Sequence, residues 1–249
     1  PEKINSGEIA GRRAGDCGRP VGIVCGPDPN GADRGYSGFM VSSGGLPEVV
    51  PEARCDSRSC ACWVQFVAQT AHTTVLNGST TQTVTFSNPS TVAERFFNLD
   101  VSNVNGSTTF ATDFVVSGAF TSDADASASG PVVSVAGSYL VGSGTSMAGV
   151  VVYGDLTGIT QSLTTDVTVT ATFNLPNPLS VTGDVTVDGG QIRVGANTLD
   201  VSGDLLVTSA GGLLAMTDAA SDVDVLGSAT FDGGSHVNQL TNGVLRVGG

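Results

Sequence analysis

Two aspartates that each follow a glycine are the residues whose type and spacing point most directly to chemistry. Asp184 follows Gly183, and Asp204 follows Gly203 twenty residues further along the chain. If these segments are equivalent turns of a repeat, the carboxylates lie side by side and repel each other unless a proton or a cation lies between them. Such a pair predicts either a Ca²⁺ site, since hard cations take carboxylate oxygens, or the acid and base that cleave a glycosidic bond.

The same Gly-Asp pairs also have a structural interpretation. Gly and Asp favour turns, in which each aspartate accepts a hydrogen bond from its own backbone and faces solvent. Asp155 follows Gly154 in the same way. A basic residue beside the carboxylates would favour an enzyme, as a lyase base or a substrate clamp, and Arg193 is the one candidate between Asp184 and Asp204. The turn, the calcium site (Asp184, Asp204) and the catalytic set (Asp184, Asp204, Arg193) all stay open.

A serine in the middle of the chain suggests a third chemistry. The segment 143–149, Ser-Gly-Thr-Ser-Met-Ala-Gly, resembles the sequence around the nucleophile of subtilisin-like proteases. The resemblance implies that Ser146 attacks the substrate, activated by a histidine that an aspartate orients. Neither His72 nor His236 lies in that family's histidine motif, and a β-rich composition is unlike the family's α/β fold. A serine hydrolase using Ser146 is therefore the third functional hypothesis.

The composition predicts an all-β chain that positions these groups. Charged residues make up 13% of the sequence and aromatic residues 6%, while 34 residues are glycine. Val and Thr favour strands because their branched Cβ packs well on a pleated surface. Gly, Asn and Asp supply the turns between strands. Long stretches of the residues that favour helices are absent from the sequence.

A repeat of about twenty residues organises the chain from residue 70 onward. Short strands end in a Val-x-Gly turn, and the glycines of successive turns are 19, 17, 29, 20, 24 and 21 residues apart. Such a period predicts a parallel β-helix, or β-solenoid, whose coils stack about 4.8 Å apart. A competing antiparallel sandwich would show turns every eight to twelve residues. The turn glycines are Gly118, Gly137, Gly154, Gly183, Gly203 and Gly227, with Gly248 in a final partial copy, Arg246-Val247-Gly248.

Two well-preserved coils predict which side chains stack inside the solenoid. Apolar and polar residues alternate on both sides of each Gly-Asp turn, so alternate side chains point inward. A second acidic group (Asp218, Asp222, Asp224) is expected in a solvated loop inserted between coils. The predicted inward stack places Leu179, Val181, Val185 and Val187 under Leu199, Val201, Leu205 and Val207.

Residues 1–69 differ from the rest and predict an irregular N-terminal cap or a partly disordered segment, rich in Cys, Gly and Pro. Irregular ends protect the strand edges of repeat proteins. Two disulfides and one free thiol are expected of an extracellular chain with five cysteines. A metal site is the alternative, although the C-x4-C-x-C spacing does not match structural zinc sites. The cysteines are Cys17, Cys25, Cys55, Cys60 and Cys62.

The charge distribution limits the partners of the molecule. Seven of the ten Lys and Arg residues precede residue 60, whereas residues 72–249 hold three arginines against fifteen acids. Such a surface repels phosphate backbones, so no nucleic-acid partner is expected. No apolar run is long enough to span a membrane. The opening Pro1-Glu2-Lys3 shows no signal peptide, and we expect a mature form or an excised piece of a longer protein.

Two further motifs carry a resemblance to a family. The segment 78–86, Gly-Ser-Thr-Thr-Gln-Thr-Val-Thr-Phe, is followed by Phe97-Asn98-Leu99 and then by coils that end in Val-x-Gly. This order resembles the repeats of large bacterial surface proteins over residues 77–249. The resemblance implies an adhesin-like solenoid, secreted or on the cell surface, that acts as a stalk or as a binding face for glycans or for other copies of itself.

These observations rank three functions. The first is a structural or adhesive module of a bacterial surface or secreted protein that needs no cofactor. The second is an extracellular glycoside hydrolase or polysaccharide lyase with carboxylates on one sheet, a hypothesis that rests on analogy between folds. The third is the serine hydrolase using Ser146.

Overall fold

The computed structural model describes residues 68, 72–103, 105–232 and 235–249, and the backbone of three short strands nearer the N-terminus. The expected cap at 1–69 and the pairing of its cysteines lie largely outside the described residues. The described residues form strands, turns and bends with no helix. The strands are β1 (Met40–Val41), β2 (Arg54–Asp56), β3 (Ser59–Trp63), β4 (Thr73–Leu76), β5 (Thr81–Thr85), β6 (Asn98–Val101), β7 (Ser107–Phe110), β8 (Phe114–Val116), β9 (Ala119–Ser122), β10 (Ala128–Val135), β11 (Ser138–Leu140), β12 (Thr145–Val152), β13 (Gly158–Ile159), β14 (Ser162–Leu163), β15 (Asp166–Val169), β16 (Thr172–Asn174), β17 (Leu179–Val181), β18 (Val185–Val187), β19 (Gln191–Arg193), β20 (Thr198–Val201), β21 (Leu205–Val207), β22 (Leu213–Ala215), β23 (Asp222–Val225), β24 (Ala229–Phe231) and β25 (Val244–Val247).

The strands stack in parallel, which confirms the prediction of an all-β solenoid. From β4 onward, each strand of the described residues pairs with strands of the preceding or following coil in parallel orientation. Antiparallel pairing in the described residues is confined to β1 with β5 and β2 with β3. No single coil can bury its own apolar face, so the fold is stable only when several coils stack.

Four sheets form the faces of the solenoid. The long sheet runs in the order β5-β7-β10-β12-β15-β18-β21-β24, with β1 at its start and β8 beside β10. The N-terminal flank sheet contains β4, β6, β9, β11 and β13. The C-terminal flank sheet contains β14, β17, β20, β23 and β25, and a short sheet contains β16, β19 and β22.

The predicted inward stack is confirmed residue by residue. Leu179 pairs with Leu199 in the C-terminal flank sheet, and Val185 pairs with Leu205 in the long sheet. All eight predicted residues are buried. Register is this strongly specified because a shift of one residue would turn every apolar side chain outward.

The Val-x-Gly turns occupy two different corners of the solenoid, although the sequence suggests one repeated turn. Gly118, Gly137 and Gly154 follow strands of the long sheet and lead into the N-terminal flank sheet. Gly183, Gly203 and Gly227 instead follow strands of the C-terminal flank sheet and lead into the long sheet. The interval of 29 residues between Gly154 and Gly183 is therefore the step from one corner to the other.

The two flank sheets meet in a single coil. Gly158–Ile159 (β13) pairs back to β11, whereas Ser162–Leu163 (β14) pairs forward to β17. The long sheet continues through this coil without a break, from β12 to β15. The coil therefore divides the solenoid into an N-terminal half (β4 to β13) and a C-terminal half (β14 to β25) that share one continuous face.

The core differs between these halves. In the N-terminal half, the rings of Phe110 and Phe114 stack with centroids 3.9 Å apart, and Phe120 packs edge-on against Phe114 and Tyr139. In the C-terminal half the inward residues are aliphatic, and Phe173 is the one buried aromatic ring of the described residues there.

The described residues contain no helix with the length and apolarity that a membrane crossing needs.

Candidate functional site

The Gly-Asp turns form a ladder of hydrogen bonds between coils. The backbone N–H of Asp184 donates to Oδ1 of Asp166 (2.9 Å), and the N–H of Asp204 donates to Oδ1 of Asp184 (2.8 Å). Oδ1 of Asp204 in turn accepts from the N–H of Ser228 (2.7 Å). We call Asp166, Asp184 and Asp204 the aspartate ladder. Each side chain caps the next coil, whereas the turn interpretation of the sequence expected it to cap its own backbone.

The glycines of this corner are required by the ladder. A Cβ atom at Gly183 would collide with Oδ1 of Asp166, and a Cβ at Gly203 would collide with Oδ1 of Asp184. Each glycine therefore leaves the space through which the carboxylate of the preceding coil reaches the backbone. The Gly-Asp repeat is explained by this contact between coils.

An uncharged residue makes the same contact in the N-terminal half. Oδ1 of Asn98 accepts from the N–H of Ala119 at 2.9 Å, and a Cβ at Gly118 would collide with that same oxygen. An amide oxygen and a carboxylate oxygen thus accept the same kind of hydrogen bond beside a glycine, although the two turns lie at different corners. The contact needs an acceptor and does not depend on its charge.

Asp155 lies outside the ladder. It follows Gly154 at the other corner, and its carboxylate accepts from the backbone N–H (2.9 Å) and the side-chain Nδ2 (2.7 Å) of Asn174. The sequence grouped Asp155 with Asp184 and Asp204 because all three follow a glycine. The grouping fails because the glycines belong to different corners.

The calcium prediction at Asp184 and Asp204 has limited support from the geometry. In each carboxylate, Oδ1 already accepts a backbone N–H of the next coil. No group of three or more His, Cys, Asp or Glu in the described part of the chain is arranged to hold a metal ion. Calcium binding at this pair stays a prediction.

The structure separates Arg193 from the ladder. Arg193 lies at the end of β19 in the short sheet, whereas Asp184 and Asp204 precede strands of the long sheet. The exposed guanidinium donates from Nε to Oε1 of Gln191 at 2.9 Å. The catalytic set expected from the sequence is therefore not brought together on one face.

Ser146 is exposed on β12 beside Ser129 and has no histidine within reach. His72 belongs to the coil of β5, three strands from β12 in the long sheet, and His236 follows β24, four strands away in the other direction. At about 4.8 Å per strand, these separations are roughly 14 and 19 Å. A general base must lie within hydrogen-bond reach of the nucleophile, so the two histidines do not complete a triad with Ser146.

The C-terminal flank sheet carries an acidic face that the repeat pattern alone does not indicate. Asp200 and Asp224 are register neighbours on β20 and β23, and Arg246 follows next on β25. Arg246 forms an ion pair with Asp222, and Ser180 donates its hydroxyl to Oδ2 of Asp200 (3.2 Å). We call Asp200, Asp222 and Asp224 the acidic face.

The signal for the acidic face was present in the sequence. Asp222 and Asp224 were expected in an inserted loop, but they alternate with the inward residues Val223 and Val225 of β23. Aligning Leu199 with Val223 would have brought Asp200 beside Asp224. Of the second acidic group, Asp218 alone lies in a turn.

A third polar cluster lies on the outward side of the N-terminal half. The hydroxyl of Tyr153 donates to Oγ of Ser117 (3.2 Å) and to the carbonyl of Val116 (3.4 Å). Burial raises the pKa of the Tyr153 phenol above its ordinary value, and the Ser117 hydrogen bond and the charge of Arg95 oppose part of that rise. We call Arg95, Ser117 and Tyr153 the arginine–tyrosine cluster.

Comparisons with known proteins find no family model, no curated protein and no solved structure that matches this chain.

Proposed function

We propose that this chain is a structural and adhesive module of a bacterial surface or secreted protein, and that it binds glycans along the outward face of the long sheet. The observation that supports it best is the continuity of the long sheet, whose parallel strands pair without interruption from β5 to β24. At about 4.8 Å per strand, this face is roughly 34 Å long. A continuous face of that length suits a stalk and accommodates several sugar residues.

The outward surface of the long sheet has the chemistry that sugars require. One row of exposed hydroxyls runs across four coils through the register neighbours Thr83, Thr109, Ser129 and Ser146. Asp166 is the one charged residue in the described strands of this sheet from β5 to β24. Hydroxyls at a regular spacing offer donors and acceptors to a polymer of repeating sugars.

A second outward row mixes hydroxyls with apolar side chains. Ser134, Val151, Thr168 and Thr186 are register neighbours on successive strands, and Leu206 and Thr230 continue the row. Binding sites for sugars combine apolar surface with a few polar groups that fix orientation. Together the two rows favour the long sheet as the binding face.

Retention of the protein on immobilised polysaccharides tests this proposal. We expect retention on at least one polysaccharide, and a loss of roughly fivefold or more when Thr168 and Thr186 are both replaced by Gln, since each altered hydrogen bond contributes about 0.5–1.5 kcal/mol. The matched control replaces Ser162 and Ser180, register neighbours in the C-terminal flank sheet, with Gln. Failure to bind any polysaccharide, or equal losses in both double variants, would contradict the proposal.

A second candidate is the carbohydrate-active enzyme, and the acidic face favours it. Two neighbouring carboxylates, Asp200 and Asp224, lie on one sheet with Arg246 beside them. Paired carboxylates are the groups that cleave glycosidic bonds. New reducing ends from a polysaccharide, lost in Asp200→Asn and Asp224→Asn, would establish this function. Ester hydrolysis that Ser146→Ala abolishes would establish the serine hydrolase.

A further inference from the structure

The arginine–tyrosine cluster is placed on the binding face by the register of the strands. The Phe96–Val116 bridge puts Arg95 beside Val115, and both side chains lie on the side of the strand opposite the inward Phe96 and Val116, although Val115 is itself buried. Val116, Val135 and Val152 pair in register and point inward. The residues that follow them, Ser117, Ala136 and Tyr153, therefore form the next outward row.

Arg95 differs from the other two arginines of the described residues. Arg246 forms an ion pair with Asp222, and Arg193 is exposed and donates to Gln191. The Nη1 atom of Arg95 is buried and has no hydrogen-bond partner among the described residues. A buried charged donor without an acceptor is unfavourable, so this guanidinium favours a ligand that brings an anionic oxygen to it.

Tyr153 completes one side of the cluster. Its hydroxyl reaches Ser117, two strands away in the long sheet, so the ring lies across the small side chain of Ala136. The ring is half-buried. It therefore presents an aromatic surface close to the guanidinium, and the effect of the Arg95 charge on the Tyr153 phenol agrees with that proximity.

The floor of the cluster suits a sugar ring. The row that begins at Arg95 continues through the buried Val115 to Ser134 and Val151, which are partly exposed and place a hydroxyl beside apolar surface. The planar fork of a guanidinium matches a carboxylate with two parallel hydrogen bonds. An aromatic ring, hydroxyls and apolar surface beside that fork fit a sugar that carries a carboxylate.

We propose that Arg95 and Tyr153 form a subsite for the carboxylate of an acidic glycan, a polymer that contains uronic acid residues. The proposal rests on glycan binding by the long sheet and names the class of glycan and its anchor. Residues 72–249 carry fifteen acids against three arginines, so most of the solenoid outside the long sheet repels an anionic polymer. The arginine–tyrosine cluster would therefore fix where the polymer binds.

Calorimetric titration of the full chain with a matched pair of polymers tests the subsite. Polygalacturonate carries free carboxylates, and its fully methyl-esterified form has the same backbone without the charge. We expect polygalacturonate to bind at least about tenfold more tightly than the ester, because charge-assisted hydrogen bonds contribute about 1.5–3 kcal/mol. Binding should weaken as salt is raised.

Three variants locate the binding. Arg95→Gln should weaken polygalacturonate binding about tenfold or more, and Tyr153→Phe about two- to fivefold, since it loses one neutral hydroxyl. The control Arg193→Gln, which removes an exposed arginine on another sheet, should leave binding unchanged. If Arg95→Gln does not fold, Arg95→Lys keeps the charge without the fork and should bind more weakly than the wild type.

Each of the following results would contradict the proposed subsite. Tight binding of the methyl ester alone, or binding that Arg95→Gln leaves unchanged, contradicts the subsite but leaves glycan binding by the long sheet standing. A polysaccharide that carries sulfate groups in place of carboxylates is the further comparison. If it binds as tightly as polygalacturonate, any anion suffices, and recognition of the carboxylate is contradicted. Absence of binding to every polymer would contradict the subsite and the proposed function together.

Discussion

The two halves of this solenoid reach the same parallel stacking with different side chains. The N-terminal half fills its interior with phenylalanines such as Phe110, Phe114 and Phe120, while the C-terminal half stacks valines and leucines of nearly constant size. Aliphatic residues repeat with the coil because each must fit over the one below it. Aromatic rings instead pack against each other at varied angles, from stacked to edge-on.

The corners differ in the same way. The C-terminal half repeats one contact on successive coils through Asp166, Asp184 and Asp204, whereas in the N-terminal half Asp113 makes it to Val132 and Asn98 makes a similar contact to Ala119 at another corner. A repeated contact fixes the residue types around it, so the C-terminal half shows a clear repeat in its sequence. A regular sequence repeat therefore reflects the contacts that join successive coils, because coils also stack in the half whose sequence is less regular.

The largest effect is expected from a cavity in the aromatic core. Phe114→Ala should lower the free energy of unfolding by about 3–5 kcal/mol, because the stacked ring of Phe110 loses its partner. Val187→Ala, at an inward position of the C-terminal half, should cost only about 2 kcal/mol, since fewer buried carbons are removed. Urea unfolding monitored by circular dichroism gives both values, and equal losses would contradict the distinction between the cores.

The second effect concerns the glycines of the aspartate ladder. Gly203→Ala should lower the free energy of unfolding by about 2 kcal/mol, because the added Cβ collides with Oδ1 of Asp184 and with the carbonyl of Gly183. The control is Gly158→Ala, where an added Cβ meets only the flexible side chain of Leu140 at 3.5 Å or more. The control should change stability by less than about 0.5 kcal/mol. Similar losses at both glycines in urea unfolding would remove the physical basis of the Gly-Asp repeat.

The third effect separates an acceptor from a charge in the ladder. Asp184→Ala should lower the free energy of unfolding by about 1 kcal/mol, because the N–H of Asp204 loses its acceptor. Asp184→Asn should leave the free energy of unfolding nearly unchanged, because the amide oxygen of Asn98 accepts the same kind of hydrogen bond from Ala119. Thermal melting of both variants measures the difference. Equal losses would show that the charge matters. A melting temperature that rises with Ca²⁺ in the wild type but not in Asp184→Asn would support the calcium prediction.

The fourth and smallest effect is a loss of stability in alkali that begins in the N-terminal half. Burial raises the pKa of Tyr139, and burial also raises that of the half-exposed Tyr153. A phenol whose pKa is higher in the folded state stabilises fully below its unfolded value of about 10, and this stabilisation is lost as the pH rises beyond it. Tyr139 can contribute at most about 1.4 kcal/mol per pH unit, and Tyr153 less because solvent screens it.

The alkaline effect is measurable by thermal melting between pH 9 and 11. Tyr139→Phe should flatten the decline, and hydrogen exchange should show that coils of the N-terminal half open first, since the C-terminal half contains no tyrosine. An unchanged slope in Tyr139→Phe would refute the assignment.

The inward stack of the C-terminal half was predictable from the sequence, because apolar and polar residues alternate there and the coils repeat at about twenty residues. Leu179 and Val181 lie over the next coil as expected, because a period of two residues and a coil of twenty fix which side chains face inward. The aspartate ladder was predictable only as a set of turns. That an aspartate caps the next coil depends on the close approach of two backbones at glycine, which residue types alone do not report.

Other features could not be read from the repeat. The same Val-x-Gly pattern occurs at both corners, so the sequence does not distinguish them. The change of corner between Gly154 and Gly183 therefore looks like an insertion in the sequence. The arginine–tyrosine cluster joins Arg95 to a residue 58 positions later, and only the register of three successive strands brings them together. No local spacing records such a contact.

Cysteine cross-linking tests the stacking of successive coils most directly. Ser180 and Asp200 are exposed register neighbours on β17 and β20, about 4.8 Å apart, which is within the range for a disulfide. Ser180 and Ser202 are offset by two residues, and at roughly 8 Å they lie outside that range. After mild oxidation, peptide mapping by mass spectrometry should show a disulfide in Ser180→Cys/Asp200→Cys and none in Ser180→Cys/Ser202→Cys. A disulfide in the second pair with none in the first would contradict the register, and with it the continuous faces on which the proposed function depends.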